Sequence, residues 1–248
     1  MTQIADYQPA ANCLADRIIL ITGAGGNIGS AVAKAAAQHG ATVILLGKTL
    51  SKLEKVYDDI KQAGHPEAII MPMDLLGATA DDYQTMAEAI EKEFGKLDGL
   101  LHNAAMLGSR MTFEQYDLEL WHKVIQVNLT APLMLTQSCL PLLKKSDDAS
   151  IIFTSSLVGR KGLAYWGGYA ITKAGNENMM QILADELEDN TSIRVNSIDP
   201  GPVRSPMRLA AFPGEDQSTV PRAEDKVNGY LYLLGGDSTG VTGEQFTL

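Results

Sequence analysis

The chain has 248 residues, 45% of them apolar and 20% charged, which suits one large domain with a substantial core and excludes a disordered chain. Its 20 basic and 30 acidic residues leave a formal charge of −10, and no Lys/Arg block exceeds two, so the footprint for binding nucleic acid or an anionic membrane is missing. Cys13 and Cys139 allow at most one bridge, no Cys/His cluster has zinc-ligand spacing, and the start carries neither the basic residues nor the apolar run of a signal peptide; we expect a reduced, metal-free cytoplasmic protein.

In chain order, residues 1–16 read as an N-terminal extension, and 18–22 (IILIT) as a strand apolar on both faces. Directly after it comes Thr22-Gly23-Ala24-Gly25-Gly26-Asn27-Ile28-Gly29, opening a helix over 28–39. Glycines there permit a tight turn and close approach of backbone to a pyrophosphate, while the helix start offers free N–H groups and a positive dipole end. A glycine-rich turn that merely joins strand to helix is the alternative. A second strand over 42–46 runs into Gly47-Lys48-Thr49. An acid at this point would bond ribose hydroxyls and a base would accept a 2′-phosphate, so Lys48 favours NADP(H) over NAD(H), unless it is a solvated surface lysine. A helix over 50–63 leads to a strand over 68–73 ending at Asp74, a residue suited either to the adenine amino group or to capping the next turn.

The helix over 80–94 spaces Tyr83, Met86, Ala87, Ile90 and Phe94 along one stripe, as a helix lying on a sheet must. A strand over 99–102 precedes Asn103-Ala104-Ala105, and a helical stretch over 117–144 carries Asn128 and two prolines, Pro132 and Pro141, that can kink or divide it. The strand over 150–154 (SIIFT) is followed by Ser156 and a helix over 169–188. Strands over 193–198 and 244–247 flank an irregular connection over 204–221 and a helix over 222–234. Loops of that length are usually lids or binding loops, so 204–221 is expected on the substrate side. Strands alternating with helices predict one α/β domain over 1–248, a Rossmann-type doubly wound fold with about seven parallel strands and helices on both faces.

Tyr169 and Lys173 lie four apart on one helix face, where an ammonium favours phenolate and draws a phenol pKa toward the working range. Tyr57 and Lys61 share the spacing, but only Tyr169 has a serine, Ser156, thirteen residues before it just past a buried strand. With the glycine turn, Asp74, Asn103-Ala104-Ala105, Asn128, Ser156, Tyr169-x-x-x-Lys173 and Pro200-Gly201 in order, the chain resembles the short-chain dehydrogenase/reductase family from Leu14 to about Phe246. Stretches such as LDGLLHNA and YWGGYA point to a bacterial branch of it.

The resemblance implies that Ser156 polarises a substrate oxygen and Tyr169 exchanges its proton. Lys173 would lower the Tyr169 pKa and bond the nicotinamide ribose, and Asn128 would hold a water relaying protons. Gly23, Gly25, Asn27, Ile28 and Gly29 would form the phosphate turn; Asn103 and Ala104 would lie beside the cofactor, with Pro200, Gly201, Val203 and Ser205 around the carboxamide. The alternative for Asn103 and Asn128 is that they only satisfy buried backbone groups, and for Pro200-Gly201 that it is only a turn. Glycines 23, 26 and 29 fit the spacing of the extended branch of epimerases and dehydratases, and His102 and Ala105 depart from the usual residues. The expected function is NADP(H)-dependent interconversion of a small-molecule carbonyl and alcohol. A cofactor-binding regulatory or scaffold protein and a cofactor-retaining epimerase or dehydratase are the alternatives. A homodimer or homotetramer through the helices over 117–144 and 169–188 is implied as well. Leu107, Trp166, Met207 and Phe212 either line an apolar pocket or are ordinary packing, Arg160 and Lys161 read as solvated, and His39, His65 and His122 have no convergent partners.

Overall fold

The computed structural model describes residues 2–4 and 6–248. Its strands form one parallel sheet: β1 (Thr2–Gln3), β2 (Ile18–Thr22), β3 (Thr42–Gly47), β4 (Ile69–Pro72), β5 (Gly99–His102), β6 (Ser150–Thr154), β7 (Arg194–Asp199) and β8 (Gln245–Thr247). Their spatial order is β1-β8-β7-β6-β5-β2-β3-β4. The seven expected strands all form, each within a residue of its expected ends. The eighth comes from the expected extension, where Thr2 pairs beside Phe246 at the outer edge.

The helices are α1 (Asn27–Gln38), α2 (Leu50–Gln62), α3 (Ala80–Phe94), α4 (Leu118–Ile125), α5 (Ala131–Leu143), α6 (Leu157–Arg160), α7 (Gly167–Glu188), α8 (Pro206–Ala211) and α9 (Val227–Leu234). Because side chains alternate across a strand, IILIT serves two cores at once. Ile18 and Leu20 pack with Tyr83, Met86 and Ile90 of α3, Leu135 of α5 and Met180 of α7. Ile19 and Ile21 pack with Val32 and Ala36 of α1, Leu53 of α2 and Leu234 of α9. Each such buried aliphatic contributes about 1.5–3 kcal/mol, which is why continuous apolar runs here mean interior strands.

Two expectations need refinement. The stretch over 117–144 is two helices joined by a wide π-helical turn, Gln126–Thr130; Pro132 follows it without an N–H to donate, and the Asn128 carbonyl four residues back accepts from Asn176 Nδ2 at 3.0 Å instead. The connection over 204–221 is partly helical: Ser205 accepts a bond from the Arg208 amide and Pro206 opens α8. Strand β2 lies between β5 and β3, so the chain winds outward in both directions from it. The crevice beyond the carboxyl ends of β2 and β5 is therefore where such a sheet leaves room for a ligand.

Candidate active site

A cleft of about 580 Å³ occupies that crevice. Its floor is the glycine turn. Gly23 has φ +66°, and a Cβ there would stand 2.9 Å from the Ala104 Cα, so turn and neighbouring strand can meet only through glycine. Gly25, Gly26, Asn27 and Ile28 line the cleft. Gly29 does not; it packs beneath, where a side chain would collide with the Gly23 carbonyl. Helix α1 begins after Gly26 with no side-chain cap and no acid in its first turn, leaving N–H groups and the positive dipole end open to an anion. The Asn27 amide donates to the Arg204 carbonyl at 3.2 Å, tying this turn to the segment after β7. Thr22, not singled out above, holds the other side: its Oγ1 accepts from the Asn103 and Ala104 amides at 2.9 and 3.0 Å.

At the end of β3, Lys48, Thr49 and Lys52 line the cleft, and the Lys48 and Lys52 side chains make no ion pair or hydrogen bond among the described residues. Lys52 was missed in the sequence, although its spacing of four from Lys48 could have flagged it. Asp74 borders the same end while its Oδ1 accepts from the Leu76 amide at 3.1 Å, so it caps the turn it begins.

Ser156, Tyr169 and Lys173 converge at the opposite end, beside Asn103, Ala104, Pro200, Gly201, Val203 and Ser205. Ser156 opens α6 without capping it, and its side chain is near enough to Tyr169 to favour the phenolate. Tyr169 and Lys173 are 8% and 2% exposed. Burial pulls the Lys173 ammonium down to about 8 against the attraction of Asp199 and Glu177. The expected lowering of the phenol does not occur here. Burial, with Asp199 adding to it, pushes Tyr169 up to about 12, and the nearby Ser156 hydroxyl offsets only part of that. Lys173 Nζ is turned to the Thr154 carbonyl, 2.6 Å away, and lies 5.7 Å from the Tyr169 ring centre. Tyr169 is thus a protonated phenol at neutral pH.

Asn128 lies outside the cleft lining, in the π-helical turn. Its amide donates to the Met106 carbonyl at 2.8 Å and to Thr172 Oγ1 at 3.1 Å, and its Oδ1 accepts from the Met106 amide at 2.7 Å. Both amide hydrogens are engaged, so the side chain braces α7 rather than presenting a donor to water. Arg160 corrects another expectation. It is buried, with Nε 2.7 Å from Glu177 Oε1, and it also donates to Thr247 Oγ1, Ser197 Oγ and the Phe246 carbonyl. Glu177 accepts from Ser155 and Ser197 as well. This ion pair joins α6, α7, β7 and β8 behind the site. A sequence shows an arginine and a glutamate seventeen apart, with nothing to mark them as partners. His102, at the end of β5, is buried, bonds Thr136 at 2.9 Å and stacks on Phe153; burial brings its pKa down to about 3.

An open helix start beside a side-chain-free turn, two unpaired lysines at one end and a serine-phenol-ammonium group at the other fit a dinucleotide with an additional phosphate. The family model for short chain dehydrogenases matches residues 17–216. The uncharacterized oxidoreductase YciK of Escherichia coli strain K12 is 45% identical over 97% of this chain and 94% of its own. A 2,5-dichloro-2,5-cyclohexadiene-1,4-diol dehydrogenase, LinX, of Sphingobium indicum is 32% identical over 94% of each chain. A solved structure from Escherichia coli CFT073 in complex with NADPH superposes with a TM-score of 0.94, at 45% identity over 96% of this chain and 99% of that one. Among the described residues no helix is long and apolar enough to cross a membrane.

Proposed function

The chain belongs to the short-chain dehydrogenase family of oxidoreductases, and from that membership we propose that it interconverts a ketone or aldehyde with the corresponding alcohol, using NADP(H) and Tyr169 as general acid/base. The observation that carries this reading is the convergence of Ser156, Tyr169 and Lys173 on one end of a cleft whose other end is a phosphate-binding turn. Gly23, Gly25, Gly26, Asn27 and Ile28 hold the pyrophosphate against α1. Lys48, aided by Lys52, takes the 2′-phosphate, and Asp74 faces the adenine. Asn103, Ala104 and Lys173 flank the nicotinamide ribose, and Pro200, Gly201, Val203 and Ser205 its carboxamide. The NADPH-bound relative supports this choice of cofactor, and the dehydrogenase acting on a cyclic diol supports alcohol chemistry.

A nicotinamide held there supplies or accepts the hydride. The protein aligns the carbonyl and stabilises the developing alkoxide. Ser156 donates a hydrogen bond to the substrate oxygen and Tyr169 gives it a proton, or removes one in the reverse direction. Lys173, kept cationic by Asp199 and Glu177, steadies the charge that forms on the phenol. Asn128 fixes α7 through its bonds to Met106 and Thr172.

Tyr169→Phe should keep NADPH affinity within about twofold, measured by quenching of protein fluorescence, and lose about 10²–10⁴-fold in turnover. Unchanged turnover refutes the acid/base role. Because the phenol titrates near 12, its neutral form is present throughout the neutral range, while the phenolate needed for alcohol oxidation increases tenfold per pH unit. Oxidation rates should therefore climb from neutral pH and level off above about pH 8, where Lys173 loses the charge that steadies the phenolate. We place the protein in the cytoplasm, where Cys13 and Cys139 stay reduced, and as a homodimer or homotetramer through α5 and α7, whose Leu133, Ile171 and Ile182 are exposed. Light scattering in solution tests the assembly.

A further inference from the structure

The substrate end of the cleft has a composition of its own. Beyond Tyr169 it is walled by Leu107, Trp166, Met207, Ala211 and Phe212, and Arg208 is the one cation lining that wall among the described residues. Arg208 is already engaged by an acid of the chain itself. Its Nε and Nη2 make paired bonds to the two carboxylate oxygens of Glu215 at 2.7 and 2.5 Å, and its guanidinium lies 3.9 Å from the Phe212 ring centre. The wall is also anchored. Arg110 lies over both the Trp166 and Phe212 rings, at 4.6 and 4.9 Å, and donates to the Ala211 carbonyl. The apolar surface is thus already assembled, with Arg110 engaged on its rings and on the Ala211 carbonyl, and the one cation that lines the cleft there is paired with an internal carboxylate.

We propose that the site selects uncharged, apolar carbonyl compounds and rejects carboxylate-bearing ones, with Glu215 setting this preference by occupying Arg208. The inference rests on the carbonyl-reducing reading of the same site. A carboxylate entering this wall would lose its hydration and meet an Arg208 already paired with Glu215, whereas an uncharged body gains contact with Trp166, Met207 and Phe212.

The test uses matched pairs with NADPH: 4-acetylbenzamide against 4-acetylbenzoate, and equivalent cyclohexanone and straight-chain ketone pairs. Both kcat/KM and the thermal shift of the NADPH-loaded protein are read. The amide of each reactive pair should exceed its acid by about tenfold or more. Glu215→Gln, which frees Arg208, should bring that ratio within about threefold, and the double variant Arg208→Gln, Glu215→Gln should restore it. An acid used as well as its amide by the wild type overturns the proposal even if Glu215→Gln fails to fold. A tenfold ratio left unchanged in a folded Glu215→Gln overturns the role of Glu215. If the protein reduces none of these ketones yet is stabilised by the amides and not the acids, the selectivity stands and the oxidoreductase reading falls; if there is neither turnover nor selective stabilisation, both fall.

Discussion

His102 shows how far one buried side chain can set the behaviour of a whole protein. Its folded pKa of about 3 lies below the ordinary imidazole value, so as pH falls the unfolded chain takes up a proton that the folded chain refuses. The stability it contributes is complete above about pH 6.5 and is lost as pH falls toward 3, at up to about 1.4 kcal/mol per pH unit. Urea midpoints measured across that range should show this slope, and His102→Asn should flatten it whatever its effect at neutral pH. Residue chemistry also decided what was legible in the sequence. Ser156, Tyr169 and Lys173 stand out because their functional groups and spacing admit few other uses. Arg160 does not, because a lone arginine reads as solvated until the fold delivers Glu177 to it. The balance at the phenol lies beyond the sequence for a related reason: spacing puts an ammonium nearby, but only the structure shows that it faces Thr154 and how deeply the phenol is buried.

Among elements, the contact of α6 with α7 governs the site. A Cβ on Gly159 would stand 2.7 Å from the Lys173 Cβ and 2.9 Å from its backbone carbon, so no larger residue fits without parting the two helices. Gly159→Ala should displace Ser156 relative to Tyr169 and lower kcat/KM about 10–100-fold, with cofactor affinity changed far less. Steady-state kinetics beside fluorescence titration separates the two effects. The interior strands β2, β3, β5, β6 and β7 could be read from their apolar runs because they are buried on both faces, and β4 and β8, though partly exposed, from the same alternation with helices. Strand β1 could not, since two residues carry no period and become a strand only by lying against β8. The prolines of 117–144 signal a kink or division there, but not its form, because the π-helical turn leaves the apolar pattern continuous. In α8, proline and serine look like loop residues until they are seen as the cap and first turn of a helix.

For the whole molecule, the outward winding from β2 makes one crevice where the cofactor's phosphates, its ring and the substrate must all lie. A ligand bound only by the folded state stabilises it, by about 2.7 kcal/mol at a hundred times its Kd. For a chain of this size that is roughly 5–10 °C in Tm. NADPH should raise the Tm more than equimolar NADH, and Lys48→Glu should reverse the order; equal shifts in the wild type would show that Lys48 does not sense the extra phosphate. The fold class was available from the alternation of runs, and the crevice from the glycine turn at the start of that winding. What lay behind the crevice was not. The Arg160–Glu177 pair there also constrains descent. Loss of either member strands an opposite charge in a dry interior at about 3–5 kcal/mol, a large share of what keeps a domain folded. Neutral drift can hardly cross such a valley one substitution at a time. Across diverged lineages these two positions should therefore change jointly or not at all, although neither contacts the reactants.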